Sequence, residues 1–142
     1  MEFFIDRNVP EKLARMLGFF DREHSVIYHD EWFDPKTSDV EWLEDLGSRT
    51  PPPIVFSGDG RILKNPAEYQ VLQSIPLTFF LLAPAWCSMP WHDQAWKTIK
   101  VWPQIIKNAT PSKPSIYRIP VSATKVDFLC YTSEAGRMKK RR

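Results

Sequence analysis

The chain has 142 residues, 43% hydrophobic and 13% aromatic, which is enough for one core of ordinary size and excludes global disorder. Of its 19 Lys and Arg, five (Arg137, Lys139, Lys140, Arg141, Arg142) stand at the extreme C-terminus, so the net +2 conceals a body, residues 1–136, with 14 basic against 17 acidic groups, a net −3. No run of about 18 uncharged apolar residues offers a membrane span, Met1–Asp6 is too short and acidic for a signal peptide, and Cys87 and Cys130 give neither a disulfide framework nor zinc spacing, so a soluble, cytoplasmic chain is expected.

Taken in order, Phe3-Phe4-Ile5 reads as a first strand, followed at once by Asp6, a turn-forming Asn8 and Pro10 in the first turn of a helix at Val9–Phe20. In that helix Leu13, Met16, Leu17 and Phe20 form an apolar stripe, closed by Gly18 and the Asp21-Arg22-Glu23 cluster. A β-prone run, His24 to His29, makes the second strand, and acids follow it as well: Asp30, Glu31 and Asp34. Ser38 and Glu41 form a capping box for a second helix, with Asp39 in its first turn and Gly47 at C′. Pro51-Pro52-Pro53 then introduces the third strand, Ile54-Val55-Phe56, which ends in Ser57-Gly58-Asp59-Gly60.

Asp59-Gly60 is also a strong hairpin signal, but no second alternating run follows; Asn65, Pro66 and Glu68 instead start another helix. Leu77–Leu82 is apolar without alternation, as a strand covered on both faces should be. A proline-rich loop, Ala83–Pro90, precedes a helix with Ala95, Ile99, Trp102 and Ile106 on one face and a kink or restart at Pro103. After a linker at Thr110–Pro114, Ile116–Val121 alternates like an edge strand, the one place a sheet tolerates Pro120, and Val126–Tyr131 makes a short last strand. Disorder is expected beyond Thr132. The domain reading is an α/β unit over residues 1–110, a strand extension at 111–131 packed on it, and a basic tail at 132–142.

Strands alternating with helices argue for a mostly parallel sheet flanked by helices. In such a sheet the strand C-termini share one edge with the N-termini of the helices that follow. Asp6, Asp39 and Asp59 can therefore converge there. Two unit charges about 4 Å apart cost about 4 kcal/mol at an effective dielectric near 20, and a hard divalent cation removes that conflict. Oxygen-only ligands without paired Cys or His favour Mg²⁺ or Mn²⁺, and a pair of such ions can orient water and stabilise the leaving oxygen of a phosphodiester.

Phe-Phe-Ile-Asp6-Arg-Asn8-Val-Pro10, then Thr37-Ser38-Asp39-Val-Glu41-Trp-Leu43, then Ile-Val-Phe-Ser57-Gly-Asp59-Gly-Arg61, in that order, resemble the PIN-like domain family of VapC-type toxin ribonucleases. The resemblance spans roughly residues 1–110, with the Pro-Ser-Ile-Tyr-Arg-Ile-Pro extension similar to one subgroup. It implies a PIN-like three-layer α/β sandwich and Mg²⁺- or Mn²⁺-dependent cleavage of RNA by a toxin held inactive by a cognate antitoxin, with a possible homodimer. Carried over, Asp6, Asp39 and Asp59 are the metal ligands, with Asn8 and Ser57 in support. The family's fuller pattern has four acids, and the candidates for the fourth are Glu41 and Asp93. Expected RNA contacts are Arg7, Arg61 and Trp91; Trp86 and Trp91 flank a loop at the site edge, where either could stack a base.

Other readings stay open. A receiver domain also keeps acids after its first and third strands, but Asn8 stands where its acid pair belongs. An aspartyl-phosphate phosphatase needs Asp at the same position. A non-catalytic PIN-like scaffold would bind RNA or a partner protein through the basic tail. His24, His29 and His92 are too scattered for a metal or nucleophile set and read as surface or strand-end residues, while the cysteines read as core filler.

Overall fold

Phe3 and Ile5 point to one side of the first strand and Phe4 to the other, and all three are fully buried, so the sheet must be covered on both faces. The computed structural model describes residues 1–58, 66–109 and 113–132. They form β1 (Glu2–Ile5), α1 (Glu11–Phe20), β2 (Ser25–Tyr28), α2 (His29–Trp32), α3 (Asp39–Ser48), β3 (Ile54–Ser57), α4 (Pro66–Ser74) and β4 (Phe79–Leu82). A 3-10 turn at Pro84–Ser88, α5 (Trp91–Asn108), β5 (Ser115–Ile119) and β6 (Asp127–Tyr131) complete the order. Asp59, Gly60, Arg61, the Asn65 cap, the linker from Thr110 to Ser112, the side chains of Glu68 and Cys87, and the tail from residue 133 on lie outside the described residues.

The strands lie in the order β2-β1-β3-β4-β5-β6. All neighbours are parallel except β6, which runs antiparallel to β5. On one face Phe3, Ile5, Phe56 and Phe80 pack under α1 and α5, through Leu13, Leu17, Trp102 and Ile105. On the other, Phe4, Val55, Phe79 and Leu81 pack under α3 and α4, through Trp42, Leu43, Leu46 and Leu72. This is the α/β three-layer sandwich with a mostly parallel sheet that the sequence leads one to expect. From β1 the chain crosses outward to β2, then back past β1 to β3 and on to β4 and β5. The direction of winding thus reverses between β1 and β3, the place where open α/β sheets leave a crevice beyond their strand ends.

Several local expectations need correction. The alternating strand near Pro120 is not an edge: β5 stops at Ile119, with β4 on one side and β6 on the other. Pro120 lies just past the ladder, where its missing N–H interrupts no pairing. Pro10 caps α1 from outside, and Gly18 lies within the helix, which runs on to Phe20. Phe20 is 51% exposed, and Ala14 joins Leu13 and Leu17 on the buried face. Gly47 is helical too, since α3 ends at Ser48, and it permits close approach: a Cβ there would lie 3.0 Å from Ile75 Cγ2. Helix α5 is unbroken through Pro103, and its buried positions are Thr98, Val101, Trp102 and Ile105, one step round from the anticipated stripe. The single-turn helix α2 has no counterpart among the expected elements; the Tyr28 N–H donates to Glu31 Oε2 at 2.6 Å and fixes its start.

Candidate active site

Alternation along β1 continues past its end, so Asp6 turns toward the α3 and α4 face, below Phe4. Its backbone N–H still donates to Phe56 O (2.9 Å), which ties the ends of β1 and β3 together at the crevice. One carboxylate oxygen of Asp6 accepts from the Arg7 N–H (2.6 Å) and the other from Ser57 Oγ (2.9 Å). Ser57, the last residue of β3, is buried. Asn8 braces the same corner: its Oδ1 accepts from the Gly58 N–H (3.0 Å) and lies 3.4 Å from Ser57 Oγ.

Asp39 comes from the other side. Ser38 caps α3 by accepting from the Glu41 N–H, which places Asp39 in the first helical turn at the strand-end edge. There Trp42 Nε1 donates to Asp39 Oδ1 at 3.0 Å. Asp6, Asp39, Ser57 and Trp42 form the polar part of one small cavity of about 20 Å³, room for one water-sized guest, whose other walls are apolar, Leu43, Val55, Leu72, Phe79 and Leu81. Burial raises the Asp6 pKa above the ordinary carboxylate range, and the Asp39 charge adds to the rise. The bonds from Ser57 and Arg7, and the nearby His29, oppose it. Asp6 is thus a carboxylate whose charge is disfavoured by its surroundings and would be relieved by a cation.

The remaining candidates are spread more widely. The Glu41 carboxylate stays with the cap, accepting from Ser38 Oγ at 3.1 Å. Asp93 sits in the first turn of α5, where it accepts from Trp96 Nε1 at 3.4 Å. Neither lines the Asp6 cavity. Arg7 is held by Asp30 through Nε at 3.1 Å. Trp91 is half-buried, with Lys12 Nζ 4.6 Å above its ring. Trp86 cannot stack a base: it is 1% exposed, and its indole N–H donates to Ile119 O and Pro120 O.

Sequence reasoning missed His29. It does sit at a strand end, but it is 2% exposed, packed against Phe4, Phe33 and Trp42, with Nδ1 2.9 Å from Asp30 Oδ1. The adjacent Asp30 was the available signal, since a carboxylate beside an imidazole can satisfy it in an apolar setting.

Among the described residues no group of three His, Cys, Asp or Glu is placed to hold a metal ion. The described residues supply a pair, Asp6 and Asp39, whose all-oxygen character and mutual repulsion fit a hard divalent cation. Among the described residues, too, no helix is long and apolar enough to cross a membrane.

Comparison with curated proteins and with solved structures gives no match. A family model does match, that of the PIN like domain, over residues 1–84, which takes in β1 through β4, Asp6, Asn8, Asp39 and Ser57. That is more than half of the chain's 142 residues, and it covers the whole crevice just described, so the chain belongs to the PIN-like domain family.

Proposed function

We propose that the protein is a Mg²⁺- or Mn²⁺-dependent endoribonuclease, the toxin of a VapC-type toxin–antitoxin pair, which hydrolyses RNA phosphodiesters. The observation that carries this reading is the pairing of Asp6 and Asp39 in one cavity at the winding switch point of a PIN-like chain. Asp6 and Asp39 would hold the ion, with Asp59 as the third ligand. The ion would supply charge stabilisation at the phosphate and a lower pKa for an attacking water.

The protein's own contribution is positioning. Ser57 donates to one oxygen of Asp6 and the Arg7 N–H to the other, so the carboxylate keeps one orientation and its anionic form is favoured against burial. Asn8 holds the Gly58 backbone and so fixes the end of β3, from which Asp59 follows. Trp42 holds Asp39 in the same way. None of these side chains is needed as a nucleophile.

The test is cleavage of single-stranded RNA by the purified chain in Mn²⁺, against EDTA. Cleavage should require the metal and fall by roughly a hundredfold or more in Asp6→Asn, on the order of what losing one preorganised electrostatic group costs an enzyme. Equal rates in EDTA, or an undiminished Asp6→Asn, would remove the proposal. The toxin role predicts growth arrest on expression, relieved by a co-expressed antitoxin.

A further inference from the structure

A second cleft opens at the same sheet edge on the α1 and α5 side. It has a volume of about 100 Å³ and is lined by Asn8, Val9, Pro10, Leu82, Trp86 and Gln94. No charged side chain is among them, so it does not suit a phosphate or a carboxylate. Trp86 is 1% exposed and its N–H already has two carbonyl partners, so it closes the floor of the cleft and offers a guest no donor. Asn8 and Gln94 are the polar members, and each has half of its amide engaged. Asn8 Oδ1 accepts from the Gly58 N–H, and Gln94 Nε2 donates to Met89 O at 2.9 Å. Those bonds fix which way each amide faces. Among the described residues, neither Asn8 Nδ2 nor Gln94 Oε1 has a hydrogen-bond partner. The cleft therefore offers apolar walls with one donor group and one acceptor.

We propose that this cleft receives the nucleobase of a nucleotide beside the scissile phosphate, an inference that rests on the ribonuclease reading. A base has flat apolar faces for walls such as Val9, Pro10 and Leu82, and its edge carries a donor and an acceptor in one plane. A purely apolar guest would strip water from both amides and return nothing. Position argues the same way. From Asn8 Oδ1 to Ser57 Oγ is 3.4 Å and from Ser57 Oγ to Asp6 Oδ2 is 2.9 Å, so the two clefts are separated by no more than a nucleotide spans. Single-stranded RNA can splay one base into a pocket while its phosphate stays outside. Gln94 and Asn8 then select among bases.

The experiment uses short RNA strands of abasic riboses bearing one central adenine, cytosine, guanine or uracil, with the fully abasic strand as reference. Binding is measured by fluorescence anisotropy in EDTA, and cleavage separately in Mn²⁺. One base should bind at least about fivefold more tightly than the abasic strand. Gln94→Met, which keeps length and removes the acceptor, should bring that base to within about twofold of the reference while the thermal melt stays in place. Equal binding of all five strands overturns the cleft assignment, as does a preference that survives Gln94→Met. Metal-dependent cleavage without base preference sinks the cleft and leaves the nuclease standing. Base preference without cleavage supports the cleft and sinks the nuclease.

Discussion

Asp21, the residue that follows α1, shows how one side chain can join distant parts of the chain. It accepts from the backbone N–H groups of Glu23 and His24, from His24 Nδ1 (2.8 Å) and from Trp102 Nε1 (2.8 Å), the last reaching across to α5. Burial alone would raise its pKa, but the donors outweigh it, and the pKa is lowered. A carboxylate depressed in the fold contributes stability above the ordinary range near 4, and that contribution is lost as pH falls through the folded value. Asp21→Asn should therefore cost about 1–3 kcal/mol in urea unfolding at pH 7, with the gap to the parent narrowing below about pH 4. A gap that stays constant to about pH 2.5 would mean that the charge is immaterial. Ser57 acts in the same manner at the site. Ser57→Ala takes a donor from Asp6, raises its pKa further, and should weaken Mn²⁺ binding by about 10–100-fold in calorimetric titration. Unchanged affinity would remove Ser57 from the supporting set.

Among elements, the two helical glycines separate propensity from packing. A Cβ at Gly18 would meet nothing within 4 Å, so Gly18→Ala should gain about 0.5–1 kcal/mol and raise the melting temperature by a few degrees. At Gly47 the same methyl would press on Ile75 Cγ2, so its gain should be smaller or reversed. Melting curves showing Gly47→Ala as the more stable of the two would refute that packing argument. Both glycines looked like helix ends in the sequence, because glycine marks a stop by its conformation and a close approach by its size, and one sequence cannot separate the two. The parallel core was legible because Phe3-Phe4-Ile5, Ile54-Val55-Phe56 and Phe79–Leu82 are apolar on both faces. The Ser38 cap and the Asp6–Asp39 edge followed from local chemistry and winding rules. What was hidden depended on residues far apart in sequence. The edge role of β6, the burial of His29 and the Gln94 cleft are set by neighbours that no periodicity encodes.

For the whole molecule, charge distribution is the remaining argument. The body, residues 1–136, is net acidic at −3, so by itself it repels a polyanion, and the five basic residues that follow must account for much of any RNA attraction. The last strand ends at Tyr131, and the Thr132 N–H donates to Pro114 O. Ending the chain after Thr132 therefore leaves every ladder among the described residues in place. The shortened protein should melt like the parent yet bind single-stranded RNA more weakly at low salt. Every Lys or Arg withdrawn from a phosphate should flatten the slope of log K against log salt by about 0.7, so removing all five charges flattens it by up to about 3.5. Anisotropy titrations between roughly 50 and 200 mM salt cover the range in which such slopes are read. An unchanged slope would show that RNA is held by the crevice and its neighbours, with the tail serving some other partner. A slope that flattens while Mn²⁺-dependent cleavage of a saturating short substrate persists would make the tail an electrostatic arm, separate from the chemistry at Asp6 and Asp39.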